Sequence, residues 1–137
     1  MKTVLLSLAA LFVTSLRLDG AERMTPGQWE FTTTTNGASH SSKYCVDTDL
    51  AAVANGDSRT GKEAAEKNAA KTKSNCKVTD FTANGDTVSY TLTCGARTIT
   101  NSTRYHGDSY EGVLTTKTAS GQTTSDIKAR RLGACPK

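Results

Sequence analysis

Two cysteines, Cys76 and Cys94, bracket the run CKVTDFTANGDTVSYTLTC, and no other stretch constrains the fold as much. Two strand-like segments flank an Ala83-Asn84-Gly85-Asp86 turn, and Asn-Gly tolerates the positive φ angles of a tight hairpin. Val88, Tyr90 and Leu92 alternate with Thr87, Ser89, Thr91 and Thr93, the period-two pattern of a strand with one wet face. The stretch reads as a β-hairpin cross-linked at its open end, with the rest of the chain built around it.

The start of the chain reads as a targeting signal. Lys2 supplies a positive end and Val4 to Val13 (VLLSLAALFV) a short apolar core. That run has the length of a secretory h-region and is too short to span a bilayer, so no transmembrane segment is expected. The signal is read as residues 1–21, with cleavage between 15 and 21: Val13-Thr14-Ser15 and Gly20-Ala21 are the two candidate sites. No cysteine precedes Cys45, so no lipid-modified N-terminal cysteine, and hence no lipid anchor, is expected. Residues 22–137 then form one domain, periplasmic or secreted. The formal charge is +4, and removing Lys2, Arg17 and Asp19 lowers it by one, too mild a balance to imply a nucleic-acid partner.

Four cysteines on an exported chain imply two disulfides. A metal site is not expected, because no C-x-x-C pair is present and the two histidines do not fall at zinc-ligand spacing. Large apolar residues are few, so the core is thin, and a native disulfide typically contributes about 2–4 kcal/mol.

In chain order, Gln28 to Thr35 reads as a strand after a Thr25-Pro26-Gly27 turn, with Trp29, Phe31 and Thr33 on one face. Asn36-Gly37 ends it, and Ser41 to Val46 is a second short strand. Asp47 is a good N-cap for a short helix that stops at Asn55-Gly56. Thr60-x-x-Glu63 has the pattern of a capping box opening a second helix, Lys62 to about Lys73. Its only apolar residues are alanines, so it is expected to lie loosely on the surface. The helical insertion thus covers about residues 47–73. Beyond the hairpin, strands are expected over Arg97 to Tyr105, Ser109 to Thr118 and Thr123 to Leu132. The fold class is mostly β: an antiparallel meander of about seven strands forming a curved sheet or half-open barrel.

The meander also suggests a cysteine pairing. Cys76 begins one hairpin strand and Cys94 ends the next, so both lie at one end of the sheet. Cys135 lies at the other end, and Cys45 reaches it if the insertion crosses the sheet. Cys76–Cys94 with Cys45–Cys135 is therefore favoured. Sequential pairing, Cys45–Cys76 with Cys94–Cys135, remains the alternative.

No catalytic constellation emerges. Gly56-x-x-x-x-Gly61-Lys62 resembles a phosphate-binding loop, but Glu63 replaces the hydroxyl residue and no buried strand leads into it. Ser125-x-x-Lys128 lies in a strand-like run without the companion motifs of penicillin-recognising enzymes. His40, His106, Glu30 and Glu111 are the only acid–base set, with both histidines beside turns. Trp29, Phe31, Tyr90, Tyr105 and Tyr110 are the candidate binding residues, as an aromatic surface that could instead be core. Lys128 and Arg130 share one face of the last strand and Arg131 the other. Asn101-Ser102-Thr103 is a glycosylation sequon, relevant only in a eukaryotic secretory route.

Several elements together resemble a known family. They are Pro26-Gly27-Gln28-Trp29-Glu30, Cys45-Val46 before a short helix, Cys76, Gly85-Asp86-Thr87-Val88, Cys94, Gly107 to Gly112, and Arg131-Leu132-Gly133-Ala134-Cys135. In this order they resemble domain of unknown function 3617, small exported four-cysteine proteins of Gram-negative bacteria. The resemblance implies a periplasmic or secreted disulfide-bonded β domain, and it transfers no catalytic residue. The expected role is a non-enzymatic module of the cell envelope that binds a small ligand or an envelope protein and needs no cofactor. The alternatives are an inhibitor acting through exposed loops such as Tyr105 to Gly112, and a small hydrolase using Glu30 or Glu111 with a histidine.

Overall fold

The tendency of this chain to alternate threonine with larger side chains is realised as seven strands and two helices. The computed structural model describes residues 22–72 and 75–137; the expected signal segment, 1–21, lies outside them. The strands are β1 (Gly27–Thr35), β2 (Ala38–Val46), β3 (Cys76–Asn84), β4 (Thr87–Cys94), β5 (Arg97–Tyr105), β6 (Ser109–Thr118) and β7 (Gly121–Gly133). Helices α1 (Thr48–Asn55) and α2 (Thr60–Lys71) join β2 to β3. The sheet runs β2-β1-β7-β6-β5-β4-β3, antiparallel throughout. The last strand returns beside the first, so the meander's two edges are the strands that the helices connect. The sheet is not closed, as the half-open reading expects.

Turn chemistry sets the registers. Asn36 and Gly37 have φ of 50° and 80°, and a two-residue turn pairs Thr35 with Ala38 and therefore Trp29 with Tyr44. In the central hairpin Asn84 already pairs with Thr87, so the two-residue loop is Gly85-Asp86, one position later than expected. A bulge in β3 shifts the β3/β4 register between Thr79 and Thr82. Asp80 takes a φ of 52° there and Phe81 turns into the core beside Val78.

Both favoured disulfides form. Cys76–Cys94 joins direct register partners with a Cα separation of 4.2 Å. Cys45–Cys135 spans 5.5 Å and steps over the start of β1, because Gln28 pairs with Cys45 on one side and Gly133 on the other.

The helices pack on the inner face of the sheet, and the core has two parts. One gathers Met24, Trp29, Val46, Ala51, Ala54 and Ala129; the other Ala65, Val78, Phe81 and Val88. Contrary to expectation, α2 is tightly docked. A side chain at Gly61 would place its Cβ 2.5 Å from Phe81 Cζ, so the missing Cβ lets the helix approach the sheet. Gly56 and Gly61, the two glycines of the apparent phosphate loop, lie against each other at the helix–helix corner: a Cβ on Gly56 would come 2.3 Å from Gly61 N. Their role is close packing. Asp47 caps α1 as expected, accepting from Leu50 N at 2.8 Å. The start of α2 is held by Asp57, whose Oδ1 accepts from the backbone N–H groups of Arg59 and Thr60 at 2.9 and 2.7 Å. Glu63 pairs with Arg59 at 3.0 Å, so no Thr60–Glu63 capping box forms.

Residues ahead of β1 close one end. Asn55 clamps the backbone of Met24 through both its N–H and its carbonyl, each at 2.9 Å. Arg23 donates to Gly85 O at 2.7 Å and to the α1 C-terminal carbonyls of Ala54 and Gly56 at 2.8 and 2.9 Å. A cation there also complements the helix dipole.

A tyrosine-lined cavity as candidate functional site

The two-residue turn at Asn36-Gly37 puts Tyr44 opposite Trp29, and successive registers put Tyr110 opposite Ala129 and Tyr105 opposite Tyr110. Tyr90 reaches the same face from β4, opposite Asn101. All four tyrosines of the chain therefore converge between the sheet and the helices. They line a cavity of about 380 Å³ that opens to solvent, within the range of small-molecule sites. Its helical wall is Leu50, Val53 and Ala54 from α1, with Ala65, Asn68 and Ala69 from α2. Its sheet wall adds Leu92, Asn101, Thr103 and Ile127, with Met24 and Cys76 at the ends.

Polar groups in the lining are uncharged and largely hydrogen-bonded. Tyr44 Oη and Tyr110 Oη lie 3.1 Å apart. Thr103 Oγ1 donates to Asn101 Oδ1 at 2.6 Å, and Asn101 is the register partner of Tyr90 on the neighbouring strand. Asn68 Nδ2 donates to the carbonyls of Asp49 and Ala64, both at 3.0 Å. Burial raises the hydroxyl pKa of Tyr90, Tyr105 and Tyr110 above the usual tyrosine value, and for Tyr110 the Tyr44 hydrogen bond adds to it. At neutral pH these tyrosines are protonated donors. Among the described lining residues none is Asp, Glu, Lys, Arg or His.

Of the aromatics expected to bind, Tyr90, Tyr105 and Tyr110 line the cavity. Trp29 does not: it is fully buried behind Tyr110, with ring centroids 5.6 Å apart, and its indole N–H donates to Thr25 O at 3.0 Å. Phe31 also stands outside the lining, edge-on to Tyr44 at 4.8 Å. Both support the wall. Phe81 stacks on Tyr90 at 5.6 Å and does the same from the other side. Tyr44 and Asn68 were not singled out from sequence, and Asn101 and Thr103 were noted only as parts of the sequon. Tyr44 was within reach, since a two-residue turn at Asn36-Gly37 fixes its register against Trp29.

The acid–base set falls elsewhere. Glu30 accepts from Arg130 Nε and Nη2 at 3.0 and 2.8 Å on the outer face, where Lys43 also approaches it at 4.0 Å. His106 lies 3.6 Å from Glu111, both exposed, and His40 is exposed on β2. None of the four lines the cavity. Lys128 and Arg130 face outward together as expected, while Arg131 turns inward and donates to Pro26 O at 3.0 Å. A wider groove on the outer face carries Arg104, Glu111 and Lys128 in adjacent register, a row of alternating charge. The sequon residue Asn101 faces the cavity.

A family model described as "Protein of unknown function (DUF3617)" matches residues 24–135. No curated protein and no solved structure matches the chain.

Proposed function

The chain belongs to the DUF3617 family, and from the cavity that this domain encloses we propose that it is a non-enzymatic, exported module of the cell envelope that holds a small ligand among its tyrosines. The observation that carries this reading is the cavity's lining: apolar walls, four phenolic hydroxyls and two carboxamides, without a described group that titrates near neutral pH. General acid–base work needs such a group within reach of the substrate. Tyrosines with raised pKa hold their protons and serve as hydrogen-bond donors instead. Two disulfides support passage through an oxidising compartment, periplasmic or secreted. No helix among the described residues is long and apolar enough to cross a membrane.

The alternatives draw on less. A hydrolase would draw on the exposed His106–Glu111 pair, of which only Glu111 borders the outer-face groove, or on Glu30, which is already paired with Arg130. Capture of an envelope protein through the loop after Tyr105 would rely on His106 to Asp108, because Tyr105 and Tyr110 at its two ends turn inward.

The test is fluorescence of the neutral probe N-phenylnaphthylamine titrated with the oxidised protein. Enhancement is expected with the natural chain and should be lost in Ala69→Trp, which fills the cavity from a half-buried helix position, at an unchanged circular dichroism spectrum. Absence of any enhancement with the natural chain would remove the ligand-binding reading.

A further inference from the structure

A cavity walled by leucine, valine and alanine takes an apolar body, and what selects the ligand is the head group it accepts. We propose that this site takes a neutral amphiphile, a single apolar chain or ring with one uncharged polar head, and rejects the corresponding anions and cations. The inference rests on the ligand-binding reading above.

Charge complementarity decides which head group enters. A carboxylate brought into an apolar cavity keeps its charge only against a cation, and the described lining offers none. Two lysines of α2 next to lining residues, Lys67 beside Asn68 and Lys71 beside Thr72, are engaged with Asp49: Lys67 lies 3.6 Å from it, and Lys71 pairs with the same carboxylate. An ammonium fares no better, since the lining holds no carboxylate either. A hydroxyl, ether or carbonyl meets a suitable partner. The Tyr44–Tyr110 bond at 3.1 Å uses one of the pair's two O–H donors. The second O–H is left for an acceptor on the ligand, and the hydroxyl oxygens can accept from an alcohol. Asn101, held by Thr103, adds an oriented amide to the same wall. A volume of about 380 Å³ limits the body to one chain or one small ring system.

The experiment displaces N-phenylnaphthylamine from the oxidised natural protein at neutral pH with decanol, decanoate and decylammonium, three molecules that share a chain and differ in head-group charge. Decanol is expected to compete, with each ion weaker by about tenfold or more. Either ion competing as well as decanol overturns the inference and leaves the cavity reading intact. A probe that never binds removes the cavity reading itself. Leu92→Lys, which puts a cation into the wall, is expected to shift preference toward decanoate. If that variant still binds decanol and its preference is unchanged, the charge argument is wrong.

Discussion

Tyr44 and Tyr110 share a hydroxyl–hydroxyl hydrogen bond of 3.1 Å in the cavity wall, although β1 and β7 stand between their strands in the sheet. A contact between third neighbours requires the sheet to curl, and the bond ties the curl in place beside the Trp29 ring. Tyr110→Phe keeps the ring and loses the bond. It is expected to cost about 1 kcal/mol in urea denaturation, and Tyr44→Phe a similar amount. The double variant should cost less than the sum, because the two changes remove one interaction. Strict additivity would mean that each hydroxyl is satisfied independently.

Alkaline pH acts on the same cluster. Burial raises the hydroxyl pKa of Tyr90, Tyr105 and Tyr110, so the folded chain favours the neutral phenol more than the unfolded chain does. A raised folded pKa gives stability that is fully present below the unfolded value of about 10 and is lost as pH rises beyond it. Urea midpoints should therefore be flat across neutral pH and fall steeply above about pH 10. Tyrosinate absorbance should rise together with unfolding. Ionisation of Tyr90, Tyr105 and Tyr110 near the ordinary tyrosine value in a chain that stays folded would contradict the buried cluster.

Gly61→Ala sets two effects against each other. Alanine is the better helix former by roughly 1 kcal/mol, yet its Cβ would meet Phe81 Cζ at 2.5 Å and Val53 O at 3.1 Å. Overpacking of a fixed core costs about 1–3 kcal/mol, so the net is expected to be destabilising. Phe81→Leu in the same chain should recover part of the loss by making room for the methyl group. A Gly61→Ala chain more stable than the natural one would mean that α2 lies as loosely as its alanines suggest.

How much of this was legible in the sequence depends on the physics of each position. Turn residues such as Asn36-Gly37 and the alternation in β4 act locally and were enough for the seven-strand meander and for favouring the disulfide pairing that forms, while the ordered motifs from Pro26 to Cys135 carried the family. Phe81 broke the period because Asp80 takes a positive φ and inserts one residue into β3, a conformation that nothing in the local sequence demands. The docking of α2 was missed because small residues read as having little to bury, when their smallness is what allows close approach. Trp29 was placed at the site because aromatic content alone does not say which side of a wall a ring occupies; the register does, and it puts Tyr110 in front. Asn68 reached the cavity through a helix pose that depends on Gly61 and Phe81, two contacts distant in sequence from each other.

The two disulfides should differ in what their loss does. Cys45–Cys135 closes 90 residues of separation and Cys76–Cys94 closes 18, so the chain-entropy description assigns them about 4.5 and about 3 kcal/mol. Position widens the gap. Cys45–Cys135 fastens β2 and the C-terminal segment over the start of β1, next to the core around Trp29 and Val46. Cys76–Cys94 fastens strands already paired along their length and borders the cavity through Cys76. The Cys45→Ser, Cys135→Ser chain is therefore expected to lose more stability, with hydrogen exchange accelerating first in β1 and β2. The Cys76→Ser, Cys94→Ser chain should stay folded in water and bind N-phenylnaphthylamine more weakly, as the open end of the β3–β4 hairpin frays at the cavity rim. Equal losses of stability, with probe binding unaffected in the second chain, would show that the short bond plays no part in shaping the site.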